Sequence, residues 1–379
     1  MANPIIVYSS RLGHTGILND IKSRSQKLIY KIGDFIHDKI VRFRGYDILQ
    51  EETQAQVNPP DFEKGAPPKY SIIDPNIAVI KDTTVPTAQI VGYWEDWNCW
   101  QTRLTDVSDK YTSYNIAFAT TKDDTLNISS YMTDDQLVQM DKDLQIMHSK
   151  GKKISLSVGG ATDQFQINDT EVLAKNIVDF IEKHNLDGVD LDDEHIVDFK
   201  DGQDKFIQLV KALRKELDAR FSSSHKTISY TALPNGVDDK APDYPQDYNY
   251  NQAVQILKTC IDDLDLVQIM CYNKTGISYT RAQDEVEQFL KLVPPAKLVL
   301  GIMPGIDDLG EDCPLSGSDQ SCETLATFTK EKNLAGLMIW DANRDLQGQD
   351  GNAANAYVSK VAQVYNDAIK QQQKTLQKP

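Results

Sequence analysis

A (β/α)8 barrel is the fold class that the sequence predicts, and three observations predict it. Eight short apolar runs recur between residues 89 and 340, each ending in polar or aromatic residues. Stretches with helical spacing separate most of them. The pattern occupies about 285 residues, the size expected of eight strand–helix units. The competing open, doubly wound sheet normally carries a glycine-rich phosphate turn after its first strand. Here residues 92–98 read GYWEDWN, which is no such turn.

Taken in order, residues 17–44 come first. Leu18, Ile21, Leu28, Ile32, Phe35, Ile36 and Phe43 fall near helical spacing with Lys and Arg between them. This predicts a small, mainly helical N-terminal segment, broken near Gly33. Residues 1–50 hold eight Lys and Arg against four Asp and Glu, so +4, which leaves −20 for the rest of a chain of net charge −16. Such a split suggests separate modules. The basic face either packs on the rest of the protein with its charges solvated, or meets a protein partner or an anionic surface through residues 1–50. Residues 50–86 are polar and carry NPP, APP and VP, the composition of a linker. The chain therefore divides into residues 1–86 and a catalytic domain at 87–379 with a polar C-terminal tail.

Within that domain the strands are expected at 89–94, 114–119, 153–159, 188–194, 227–233, 266–272, 298–303 and 336–340. Helices are expected at 134–150, 170–184, 201–219, 249–261, 280–292 and 322–333, with a last one from about 352.

The bulk composition narrows the function. Apolar residues make up 40% and charged residues 25%, as in an ordinary soluble globular protein. A net charge of −16 argues against nucleic acid, whose phosphates require a basic footprint, and leaves a neutral substrate untouched. The first residues lack the basic and apolar regions of a secretory signal peptide, and no run approaches the ~18 apolar residues of a membrane span. Of five cysteines, Cys313 and Cys322 bracket a polar loop and form either a local disulfide or two thiols. Cys99, Cys260 and Cys271 show no metal-ligand spacing, and neither a metal nor a cofactor is expected.

The stretch that carries chemistry is residues 186–194, LDGVDLDDE. Side chains on a strand alternate, so Asp190, Asp192 and Glu194 share one side while Val189 and Leu191 share the other. In a barrel the acidic set faces the interior and rises to the mouth at the C-terminal end, where barrel enzymes work. Carboxylates packed this way are costly to keep ionised, so repulsion and desolvation return a proton to the cluster. Glu194, nearest the mouth, is the natural holder of a proton to donate, with Asp192 shuttling between Asp190 and the substrate. Two plainer readings compete: a solvated acidic loop and a divalent-cation site. The interleaved Val189 and Leu191 weaken the first. The scarcity of carboxylates at the other strand ends weakens the second.

DGVDLDDE resembles the DGxDxDxE signature of family 18 glycoside hydrolases, which include chitinases and endo-β-N-acetylglucosaminidases. SVGG at residues 157–160 resembles the family's SxGG. VGYWEDWN at 91–98 is similar to its first strand, QIMCYN at 268–273 to its sixth, and Trp340 to its tryptophan on strand eight. The likeness covers about residues 88–365.

The resemblance implies a retaining mechanism without an enzyme nucleophile. Glu194 protonates the glycosidic oxygen, and the substrate's own 2-acetamido oxygen attacks the anomeric carbon. Asp192 orients the acetamido N–H with Asp190 behind it. Tyr272 donates to the acetamido group, and Trp340 forms an apolar floor. Tyr93, Gln268, Met270, Asn273 and Trp97 are expected as further substrate contacts. Pyranose rings stack well on indole, so at least one of Trp94, Trp97 and Trp100 is expected to be a platform.

The sequence departs from the pattern at Asp193, where many chitinases of the family have tryptophan; the acidic pair in that place resembles the endo-β-N-acetylglucosaminidase branch more closely. Asp193 is expected to face outward. Only about thirty residues separate strands seven and eight, too few for the small inserted domain of processive chitinases. An open cleft and an endo-acting chitinase are expected, on chitin or another N-acetylglucosamine-containing oligosaccharide. An endo-β-N-acetylglucosaminidase acting on N-glycans is the rival, and an inactive lectin a third reading. Polymeric substrates lie outside cells, so action is expected to be extracellular.

Overall fold

The computed structural model describes residues 88–376, apart from 129–131, 164, 166, 193, 196–200, 238–250 and 275–278, with side chains as far as residue 367. The expectations for residues 1–86 and for Asp193 lie outside the described residues.

Eight parallel strands close into a barrel: β1 (Gln89–Glu95), β2 (Ser113–Lys122), β3 (Lys153–Gly159), β4 (Gly188–Asp192), β5 (Thr227–Ala232), β6 (Leu266–Met270), β7 (Leu298–Ile302) and β8 (Gly336–Ile339). Closure comes from β1, which pairs with β8 on one side and β2 on the other. The helices are α1 (Asp134–Ser149), α2 (Thr170–His184), α3 (Gly202–Arg220), α4 (Ala253–Cys260), α5 (Ala282–Phe289), α6 (Cys322–Glu331), α7 (Ala342–Gln347) and α8 (Ala356–Leu376). The expected (β/α)8 barrel is the fold.

Local chemistry sets the helix ends. Thr133 and Gln136 form a reciprocal capping box that starts α1. Asp169 caps α2 by accepting from the N–H groups of Glu171 and Val172, and Asn185 ends that helix in the left-handed conformation. Among the described residues, no helix is long and apolar enough to cross a membrane.

Four details differ from the sequence reading. The fourth strand stops at Asp192, whose register partners are Gly159 and Thr231, so Glu194 stands in the loop just beyond it. The sixth stops at Met270, which places Tyr272 past its end as well. Two short 3-10 turns, Asp96–Asn98 and Leu104–Asp106, occupy the β1–β2 connection where a barrel unit carries a helix. Helix α7 was not expected: Asp341 caps it by accepting the N–H of Arg344 at 2.7 Å.

Cys313 and Cys322 are buried, unpaired thiols, which removes the disulfide reading. The connection from Ile302 to Gly336 holds a two-stranded hairpin, Gly305–Ile306 with Asp312–Cys313, and α6, with no inserted domain.

Candidate active site

The barrel register builds the site from below. Ser157, Asp190, Ser229 and Gln268 stand on inward faces of neighbouring strands, with Ser157 level with Asp190 and Asp190 level with Ser229. Asp190 is fully buried and accepts five hydrogen bonds. On Oδ2 the donors are the Tyr93 hydroxyl at 2.7 Å and Ser157 Oγ at 2.7 Å. On Oδ1 they are Ser229 Oγ at 2.6 Å, Thr231 Oγ1 at 2.8 Å and Gln268 Nε2 at 3.0 Å. Burial nevertheless wins and raises the Asp190 pKa above the usual carboxylate range, with these donors pulling it back.

Val189 and Leu191 are both fully buried on the opposite face of the strand, as alternation requires. Asp192, one step above Asp190 on the inner face, is 3% exposed. Glu194 is half-buried at the mouth, and burial raises its pKa while Lys274 and His195 oppose the shift. His195 is held through Nε2 by the carbonyl oxygen of Ala161 at 3.0 Å.

Tyr272 is 5% exposed, with its hydroxyl 3.8 Å from Met338 Sδ. Burial first, then the charges of Asp192 and Glu194, keep that phenol protonated. Asp190, Asp192, Glu194 and Tyr272 are therefore gathered at one end of the barrel.

An aromatic group stands beside them. The Trp340 ring meets Tyr93 edge-on at 5.3 Å and lies nearly parallel to Phe118 at 5.4 Å, and Phe118 stacks on Trp97 at 6.1 Å. Trp340, Phe118 and Trp97 are each half-buried. Gly160 makes room for this arrangement: at φ 84° its missing Cβ would sit 2.8 Å from the Phe118 ring. Gly159, at φ 116°, lets the Asp192 carbonyl oxygen approach to 2.0 Å of where its Cβ would be. The paired glycines thus do more than allow a turn.

The expected contacts divide on inspection. Trp340 and Trp97 keep accessible surface, and Met270 lies at the end of β6, 5% exposed. Tyr93 and Gln268 are 0% and 1% exposed and direct their polar atoms to Asp190, so they support the row from beneath. Asn273 clips a loop: its Nδ2 donates to Asp308 Oδ2 at 2.9 Å and its Oδ1 accepts the Asp308 N–H at 2.9 Å. Trp94 is 2% exposed on the outer face of β1, with Nε1 donating to the Thr102 carbonyl, and is core. Trp100 is 68% exposed.

Phe118, Ser229, Thr231, Lys274 and His195 went unremarked in the sequence. For Ser229 and Thr231 a signal existed, since polar residues at alternate positions of an apolar strand mark its inward face.

With this barrel and this constellation, the chain's class is plain from its relatives: it is a glycosidase. It belongs to family 18 of the glycosyl hydrolases, whose model matches residues 89–304. It is similar to a chitinase of Enterococcus faecalis, 22% identical over 325 residues that make up 74% of this chain and 88% of the relative. Solved structures share its fold. A family 18 chitinase from Cycas revoluta in complex with (GlcNAc)3 superposes with a TM-score of 0.56 at 17% identity, over 73% of this chain and 100% of that one. A family 18 N-acetylglucosaminidase from Paenibacillus barengoltzii gives 0.53 at 19% identity, over 73% and 99%.

Proposed function

We propose that the protein is an endo-acting chitinase that hydrolyses β-1,4 linkages between N-acetylglucosamine residues with retention of configuration. The observation that carries this reading is the placement of Glu194. It stands above Asp192 at the barrel mouth, with burial favouring its protonated form.

In the proposed sequence Glu194 gives its proton to the glycosidic oxygen as the bond to the anomeric carbon breaks. The acetamido oxygen of the same sugar closes on that carbon, forming an oxazolinium ion. Asp192 accepts the acetamido N–H and balances the positive charge. Asp190, fixed by its five donors, holds the row in register. Tyr272 steadies the acetamido group, and Trp340 supports the distorted ring. Glu194, now a carboxylate, takes a proton from the water that opens the oxazolinium. A sugar without the acetamido group lacks the nucleophile, which gives the specificity a chemical cause.

The endo mode is supported by the β7–β8 connection, which holds only a short hairpin and α6 and leaves the cleft without an added wall. A polymer of this kind is met outside cells, and extracellular action belongs to the same proposal. The test is incubation with chitin oligosaccharides and, separately, with a high-mannose glycoprotein, followed by mass spectrometry. Internal cleavage of the oligosaccharides is expected. Release of intact glycans with no cleavage of chitin oligomers would overturn the proposal in favour of an endo-β-N-acetylglucosaminidase.

A further inference from the structure

Tyr272 lies past the end of the sheet, so the strand ladder does not fix it: the pairing of β6 with β7 ends at Met270, level with Gly301. What holds the chain there comes from the connection after β7. The Asn273 N–H donates to Asp307 Oδ2 at 2.8 Å, beside the reciprocal pair that Asn273 makes with Asp308. These three hydrogen bonds tie the residue next to Tyr272 to the hairpin of Gly305–Ile306 and Asp312–Cys313. Tyr279, further along the same loop, adds to the tie. Its hydroxyl donates to the Met303 carbonyl oxygen at 2.8 Å and accepts the Met303 N–H at 2.5 Å.

Asp307 is the knot of this arrangement. It is 5% exposed, and its Oδ1 accepts the N–H groups of Leu309 at 3.0 Å and Glu311 at 2.9 Å. One oxygen thus shapes the hairpin turn while the other reaches across to Asn273. These donors satisfy a carboxylate that water barely reaches, which makes the joint rigid. Asn273 itself sits at φ 55°, in the left-handed region that asparagine enters more readily than most residues.

Arg344 holds the connection from the other side. Its Nε donates to the Pro304 carbonyl oxygen at 2.8 Å and its Nη2 to that of Ile306 at 2.5 Å. Arg344 lies in α7, just after Trp340, whose own N–H donates to the Ile302 carbonyl oxygen at 2.9 Å. Residues 302–308 are therefore bonded to the segment of Tyr272 on one side and to the segment of Trp340 on the other.

We propose that this connection is a brace that fixes Tyr272 relative to Trp340, with Asp307 and Arg344 as positioning residues for the sugar at the point of cleavage. This rests on the sugar-cleaving reading above. In a substrate-assisted reaction the acetamido oxygen must meet the anomeric carbon of a ring seated on Trp340, and Tyr272 steadies that acetamido group. A shift of one wall against the other misaligns the nucleophile, and a misplacement of ~1 Å costs up to about 10²-fold in rate. Asp307 and Arg344 act without touching substrate, through the backbone on either side of the site.

The experiment measures kcat and KM of the full chain and of Asp307→Asn on chitotetraose. The variant keeps an oxygen for the Leu309 and Glu311 N–H groups but sets an amide donor against the Asn273 N–H, so it opens the joint and leaves the turn. Its kcat is expected to fall about tenfold with KM within about threefold of the parent. Arg344→Met keeps the stem without the donors and should divide between kcat and KM in the same way. In a Tyr272→Phe background, Asp307→Asn should change kcat less than about twofold, because the hydroxyl it positions is gone. Asp187→Asn removes a carboxylate that accepts the Ile154 N–H at the opposite end of the barrel, and it should lose stability with kcat unchanged. Should Asp307→Asn fail to fold, Asn273→Gly carries the test, since glycine accepts φ 55° and only the side-chain pair is lost. A folded variant with the parent's kcat, an equal loss in the Tyr272→Phe background, or an equal loss in Asp187→Asn overturns this inference alone. Failure of the parent to bind or cleave chitotetraose overturns the substrate reading, and the inference with it.

Discussion

The Tyr93 hydroxyl donates a 2.7 Å hydrogen bond to Asp190 Oδ2, tying β1 to β4 across the barrel interior. Both side chains are fully buried, so the bond forms where its loss is not made good by water. It sets the base of the row that ends at Glu194.

Removing that hydroxyl leaves Ser157 as the donor to Asp190 Oδ2. Tyr93→Phe is expected to cost about 1–2 kcal/mol of stability, the loss of one of two donors to a buried carboxylate oxygen. It should lower kcat about tenfold or more with little change in KM, because the hydroxyl positions Asp190 without touching substrate. Thermal melting and steady-state kinetics on chitotetraose check both.

Trp340 contacts Tyr93 and Phe118 on one side and keeps surface free for a sugar ring. Trp340→Ala should weaken chitotetraose binding about tenfold or more, while Trp340→Phe retains most of it. Calorimetric titration in a Glu194→Gln background, where turnover does not interfere, reads the difference.

Asp187, the first acid of the DGVDLDDE stretch, is a clamp for the sheet and takes no part in the row. Its Oδ2 accepts the Ile154 N–H at 2.9 Å and faces His148 Nε2 at 2.9 Å, and its Oδ1 accepts from Lys153 Nζ at 2.9 Å. Burial works to raise its pKa, but these partners prevail and hold it at about 2 against an ordinary 3.8. A pKa lowered by folding contributes stability above about pH 4 that disappears as pH falls toward 2. Asp187→Asn is expected to lose ~2 kcal/mol at neutral pH and to converge with the parent near pH 2, as followed by denaturant unfolding.

Asp96 behaves in the opposite sense. It is 1% exposed, and burial pushes its pKa up to about 7, with Glu95 adding to the rise and the Phe118 and Trp97 N–H groups opposing it. Because the folded form holds the proton more tightly than the unfolded chain, stability declines from about pH 4 to about pH 7. Asp96→Asn keeps an acceptor and carries no charge, so its melting temperature should fall less than that of the parent between pH 5 and pH 8.

The part of the site that was legible came from alternation. A period of two assigns Asp190 and Asp192 inward and Val189 and Leu191 outward, and one barrel direction puts Glu194 at the mouth. Depth was not legible. Tyr93 and Gln268 lie on the expected face but are buried with their polar atoms on Asp190, because alternation gives a side and no height. Phe118 escaped notice for a different reason: it meets Trp340 and Trp97 only because distant strands come together, and nothing local to its segment announces that contact. The cysteines 313 and 322 illustrate the same limit, since their spacing suited a disulfide that the fold does not make.

The central claim is that Glu194 is the general acid of a substrate-assisted hydrolysis, and turnover of chitotetraose by Glu194→Gln tests it most directly. The account predicts that kcat falls about 10³-fold while oligosaccharide affinity, measured on the same preparation, stays within a few-fold of the parent. A variant that cleaves as fast as the parent, or a parent that binds the oligosaccharide and is no more active than the variant, would contradict it.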